Sequence, residues 1–97
     1  MLYAMIAKDA PGTGQLRTDT RPVHLKHLES LGEKLVFAGA LLDSEDKPEG
    51  SLVILEAETL EEAEAMANAD PFVAAGVFVS VEVRRWRVAI NNSAAEL

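Results

Sequence analysis

Apolar runs separated by polar breaks follow one another along this chain in the order β-α-β-β-α-β. Leu2 to Lys8 (LYAMIAK) is apolar on both alternations, which predicts a strand covered on both faces. Residues 9–19 contain Pro11, Gly12 and Gly14 and are expected to form a loop. Thr20-Arg21-Pro22 reads as a helix start, with Thr20 as cap and proline in the first turn, and Gly32 supplies the stop. On that helix His24, Leu28 and Leu31 share one stripe, while Lys26, Glu29 and Glu33 point elsewhere.

Leu35 to Leu42 (LVFAGALL) predicts a second strand, residues 43–50 (DSEDKPEG) a polar turn, and Ser51 to Ala57 (SLVILEA) a third strand. Thr59-Leu60-Glu61-Glu62 matches a capping box and opens a helix to about Ala69, burying Leu60, Ala63, Met66 and Ala67. Asp70-Pro71-Phe72 restarts a short turn or helix that ends at Gly76. The last strand is expected over residues 77–88. Val77, Val79, Val81 and Val83 would form one face and Phe78, Ser80, Glu82, Arg84 and Trp86 the other.

Two right-handed βαβ halves interleave into a ferredoxin-like α+β fold, a four-stranded antiparallel sheet with both helices on one face. Strands one and three should be central. The predicted organisation is a single domain over residues 1–90 and a flexible tail over 91–97. The sheet face without helices also carries apolar side chains, which predicts an interface and a homodimer built through it.

Composition trims the functional choices. Without cysteine there is no disulfide framework, thiolate zinc site or cysteine nucleophile, and two histidines are too few for a dedicated transition-metal site. A net charge of −7, from 16 acidic and 9 basic residues, disfavours nucleic acid as a partner. No apolar run is long enough to span a membrane, and no leader-like segment precedes the first strand, so a cytoplasmic location is expected.

The element order brings Arg17, Arg21, His24, the 43–50 loop and Asp70 to one end of the domain. His24 has two possible roles: a hydrogen-bonded residue at the edge of the core, or a general acid or base. Asp70 can cap the Pro71 turn, orient an imidazole, or do both, because a carboxylate accepts several hydrogen bonds. Arg17 and Arg21 are either solvated charges or a clamp for a ligand anion. His27 reads as structural, the acidic run from Glu56 to Glu64 as a solvated helix face, and Arg84, Arg85, Trp86 and Arg87 as edge or dimer contacts.

The stretches RPVHLKHLESL (21–31) and ADPFVAAGVF (69–78), with LYAMIAKD, AGALLD (38–43) and Gly50-Ser51, resemble the YCII-related (YciI-like) family over roughly residues 1–88. The resemblance implies a dimeric α/β-barrel type of ferredoxin-like fold and a His–Asp centred site. Its catalytic positions would be His24 and Asp70, with Arg17, Arg21 and Phe72 binding ligand. Phe72 stands where a tyrosine is also common, and the 43–50 loop is shorter than in the family's best-known bacterial member. One relative in chlorinated-aromatic breakdown is a dehydrochlorinase, and the wider superfamily includes muconolactone isomerases and small monooxygenases. Most members of the family have no assigned reaction. The function expected of the site is cofactor-independent proton transfer on a small anionic or cyclic organic molecule, with His24 as acid or base, Asp70 orienting it and Arg21 with Arg17 as anion clamp. A non-catalytic ligand-binding or interaction module is the alternative.

Overall fold

The structure is a computed structural model and describes residues 1–97. Its elements are β1 (Leu2–Asp9), α1 (Gly14–Ser30), a single 3-10 turn (Gly32–Lys34), β2 (Leu35–Leu42), β3 (Pro48–Glu56), α2 (Leu60–Asn68), α3 (Pro71–Ala74) and β4 (Phe78–Trp86). The sheet order is β2-β3-β1-β4, antiparallel throughout. This is the ferredoxin-like arrangement, with β1 and β3 in the middle.

Register assigns the two faces. Tyr3, Met5 and Ala7 lie opposite Leu55, Val53 and Ser51 and face the helices. Met5, Val53 and Leu55 are buried with Leu28 of α1 and Ala67 of α2, and Tyr3 with Ala63. Leu60, at the first position of α2, stays 41% exposed, because the buried stripe begins one turn later at Ala63. On the opposite face Ile6 pairs with Leu52, and both remain exposed.

α1 is longer than expected. It begins at Gly14 rather than at Thr20, so Pro22 sits inside it and the preceding loop shrinks to a few residues. Proline withholds one backbone donor, from the Thr18 carbonyl. Thr18 and Pro22 are both exposed, so water can satisfy that carbonyl and the helix runs through. Gly32, at φ +58, terminates it as expected. The early start puts Arg17 on the same helical stripe as His24 and Leu28, and these three are the buried residues of α1.

β4 departs in a different way. The register slips between Lys8 and Asp9, so Lys8 pairs with Ser80 but Asp9 with Phe78. The bulge turns Phe78 onto the core side with Val81 and Val83 and leaves Val79 60% exposed. Simple alternation had placed Val79 with the other valines.

β3 begins at Pro48, so the polar turn is confined to 43–47. Asp43 closes it by accepting from the backbone N–H of Glu45 and Lys47. Those donors, Lys47 foremost, hold its carboxyl below the usual range.

Thr59 caps α2 as the sequence indicates, accepting from Glu62 N–H at 3.1 Å, while the Glu62 side chain reaches back to Glu58 N–H. Lys34 also hydrogen-bonds Glu62 and keeps its carboxyl low. Thr59→Ala is expected to cost about 1 kcal/mol, a fall in melting temperature of about 4–8 °C by thermal denaturation.

Candidate active site

Asp70 is the N-cap of α3, with Pro71 at the first helical position where a missing N–H costs nothing. Its Oδ1 accepts from Phe72 N–H at 2.9 Å. The same carboxylate contacts His24 Nδ1 at 2.7 and 2.8 Å. Capping and imidazole orientation, two alternatives in the sequence, are both performed by this one group. Asp70 is 2% and His24 8% exposed.

A carboxylate at Nδ1 requires a proton on that nitrogen, which leaves Nε2 with a free lone pair in the neutral ring. Nε2 has no hydrogen-bond partner in the protein, and no buried side-chain nitrogen or oxygen lacks one, so Nε2 is open to solvent. Phe72 fixes the ring plane, stacking on His24 at 3.9 Å between centroids and 8° between planes. Phe78, delivered by the β4 bulge, packs edge-on against Phe72 at 5.5 Å.

Arg17 is neither solvated nor free. Its Nη1 meets both carboxylate oxygens of Asp9 at 2.8 and 3.0 Å, and its Nη2 donates to Gly50 O at 3.1 Å and Ser51 Oγ at 2.9 Å. Its guanidinium carbon lies 4.9 Å from the Phe72 ring centroid. With both terminal nitrogens engaged inside the protein, Arg17 is held as a structural tie. Arg17 ties α1 to β1 and β3 and supports the aromatic ring that His24 stacks on. Arg21, one turn on, makes no ion pair or hydrogen bond and stands exposed at the same cleft.

Gly50 has a steric role in this scaffold. A Cβ there would run into the Ala7 carbonyl of the neighbouring strand, and that backbone has little room to yield. Gly50→Ala is expected to destabilise the fold by about 1–3 kcal/mol, measured by denaturant unfolding.

These groups open onto a cleft of about 450 Å³ between α1 and β2. It exists because α1 packs against α3 and leaves the helix-facing side of β2 uncovered. Thr18, Arg21 and Leu25 form one wall, Ala38 and Ala40 the other, and Ser51 and Val53 the floor. All five predicted site residues, Arg17, Arg21, His24, Asp70 and Phe72, come together here; four of them line the cleft, and Asp70 holds His24 from behind. Of the 43–50 loop, Pro48 alone reaches the wall, and residues 43–47 do not line the cleft. His27 is structural, bonded through Nε2 to Met66 O at 3.0 Å. No three His, Cys, Asp or Glu side chains converge, so the cleft offers no donor set for a metal.

The sequence reading missed Asp9, Ser51 and the β2 wall. Ser51 carried a signal, since it alternates with Val53 and Leu55 and so had to be a polar group facing the core. The small residues Ala38-Gly39-Ala40 were a second signal, because they leave space where a strand packed under a helix would fill it.

The YCII-related domain model matches residues 1–87. This chain belongs to the YCII-related family. It is 41% identical to Protein YciI of Escherichia coli over 95 residues, covering 90% of this chain and 97% of that protein. An uncharacterised protein of Haemophilus influenzae is 36% identical over the same lengths. Among solved structures, 5-chloro-2-hydroxyhydroquinone dehydrochlorinase (TftG) from Burkholderia phenoliruptrix AC1100, in complex with 2,5-dihydroxybenzoquinone, superposes with a TM-score of 0.83. The two share 36% identity, and the match covers 90% of this chain and 94% of TftG. In this YCII-related chain no helix is long and apolar enough to cross a membrane.

Proposed function

We propose that the α1–β2 cleft binds a small hydroxylated, anionic ring compound and that His24 moves a proton on it without a cofactor. The observation that carries this reading is a buried Asp70 fixing Nδ1–H while Nε2 of the same ring is left unbonded, in a residue that lines the same cleft as Arg21. Such a nitrogen is a base with its orientation set in advance. The substrate class follows TftG, whose name states loss of HCl from a hydroxylated ring.

In the proposed step Nε2 takes a proton from an O–H or C–H of the ring, whose electron pair stays on the substrate. The negative charge develops near Arg21. In an elimination, the imidazolium returns that proton to the chlorine-bearing carbon, which becomes tetrahedral. Loss of a second ring hydroxyl's proton then drives its electron pair through the ring to expel chloride and leave a quinone. In an isomerisation, the imidazolium returns its proton to a different ring atom. No electrons are gained or lost overall, so no redox partner is needed.

The test is catalysis of ring-proton exchange in D2O by 2,5-dihydroxybenzoquinone and trihydroxybenzenes, with chloride release from 5-chloro-2-hydroxyhydroquinone as a second readout. Exchange or chloride release above the uncatalysed rate, abolished in His24→Asn, supports the reading. Saturable binding with neither turnover would identify a ligand-binding module instead.

We also propose that a second copy of the chain covers the open sheet face. Ile6, Leu52, Phe37 and Leu41 are exposed there, 38–46% each, and lie on one side of the sheet by register. Adjacent apolar side chains of this size on a water-facing sheet are costly to leave uncovered. Sedimentation equilibrium of the wild type against Leu52→Lys tests it, with a shift from dimer to monomer expected.

A further inference from the structure

The cleft is larger and more two-sided than a single ring requires. A cavity that takes one benzene measures about 150 Å³, against about 450 Å³ here. Its chemistry also changes from end to end. Arg21, His24 and Ser51 mark one end, where Ala40 of β2 lies opposite Ser51. Further along α1 come Leu25 and Leu28, and along β2 the wall runs through Ala38, opposite Val53, to Leu35, opposite Leu55. From Arg21 to Leu28 the helix rises about 10 Å. From Ala40 to Leu35 the strand runs roughly 16 Å. Leu25 is 36% exposed, an apolar side chain turned toward an open cleft.

A hydroxylated ring placed against Nε2 and Arg21 would fill the polar end and leave the leucine-lined end wet. Glu29 stands exposed at the rim of that end, with no ion pair or hydrogen bond, and would repel a second anionic group. We infer that the ligand of this site is amphipathic: a hydroxylated acidic ring carrying a short uncharged apolar arm, seated along Leu25, Leu28, Leu35 and Ala38. The inference rests on the proposed placement of the acidic ring at His24 and Arg21, and it adds the arm, which sets substrate size and specificity.

The experiment is calorimetric titration of 2,5-dihydroxybenzoquinone and its 3-ethyl, 3-butyl and 3-hexyl derivatives. Each methylene buried along the leucine wall is expected to tighten binding roughly three- to fourfold, until the arm outgrows the cleft. Ala38→Phe, at an exposed position on the β2 wall, should flatten the series by filling that end of the cleft. An affinity that stays constant or falls with arm length overturns the inference, as does a series that keeps its slope in Ala38→Phe. A complete lack of binding by all four compounds also overturns it. Ring-proton exchange in His24→Asn, followed with the unsubstituted quinone, reports on the acid–base reading separately. A flat series with exchange still dependent on His24 removes the arm and spares the base; a steep series without such exchange does the reverse.

Discussion

Arg17→Met is expected to lower the unfolding free energy by about 3–5 kcal/mol, the cost of leaving one partner of a buried ion pair alone. The Arg17 and Asp9 side chains are 10% and 9% exposed, so water cannot readily replace the missing cation. The Gly50 carbonyl and Ser51 hydroxyl lose their donor in the same change. For a domain of this length the melting temperature should fall by at least about 12 °C. Since small domains are stable by only about 5–15 kcal/mol, the variant would unfold near ordinary working temperatures. The double change Asp9→Leu with Arg17→Met removes the orphaned charge and should recover part of the loss. Full recovery is not expected, because Gly50 and Ser51 remain unpaired. If chemical denaturation shows Arg17→Met within about 1 kcal/mol of wild type, Arg17 is not the tie between α1 and the sheet.

His24→Asn should reduce catalysed ring-proton exchange by about 10²- to 10⁴-fold, the usual contribution of a positioned general acid or base. Asparagine is chosen because its amide can still donate to Asp70 from near the Nδ1 position. It carries nothing in the place of Nε2. Stacking on Phe72 is weakened, so a modest fall in stability of about 1–2 kcal/mol accompanies the change. A variant that folds and retains wild-type exchange would show that the imidazole is structural. The two substitutions divide the site into its parts. Arg17 acts on the scaffold, and His24 on the chemistry.

Much of the fold and of the site is legible in the sequence. The strand order follows from interleaving two right-handed βαβ halves, and the His24–Asp70 pairing from the one end of the domain at which such a chain gathers the first half of α1 and the residues after α2. The failures have local causes. Pro22 looked like a first-turn proline, and only the exposure of Thr18 and Pro22 explains how the helix continues past it. That one error put Arg17 in a loop and hid its place on the His24 stripe. The β4 bulge was illegible for a different reason: alternation assumes an unbroken ladder, and the slip opposite Asp9 is a property of strand pairing. The cleft itself depends on how α1 leans on α3 and away from β2, a packing outcome that no single segment encodes.

The free lone pair on His24 Nε2 is read most directly by long-range ¹H–¹⁵N correlation of His24 at a pH where the ring is neutral. The expected result is a proton on Nδ1, an unprotonated Nε2, and a shift confined mainly to Nε2 when 2,5-dihydroxybenzoquinone is added. A proton on Nε2, or a His24 spectrum unchanged by saturating ligand, would contradict it.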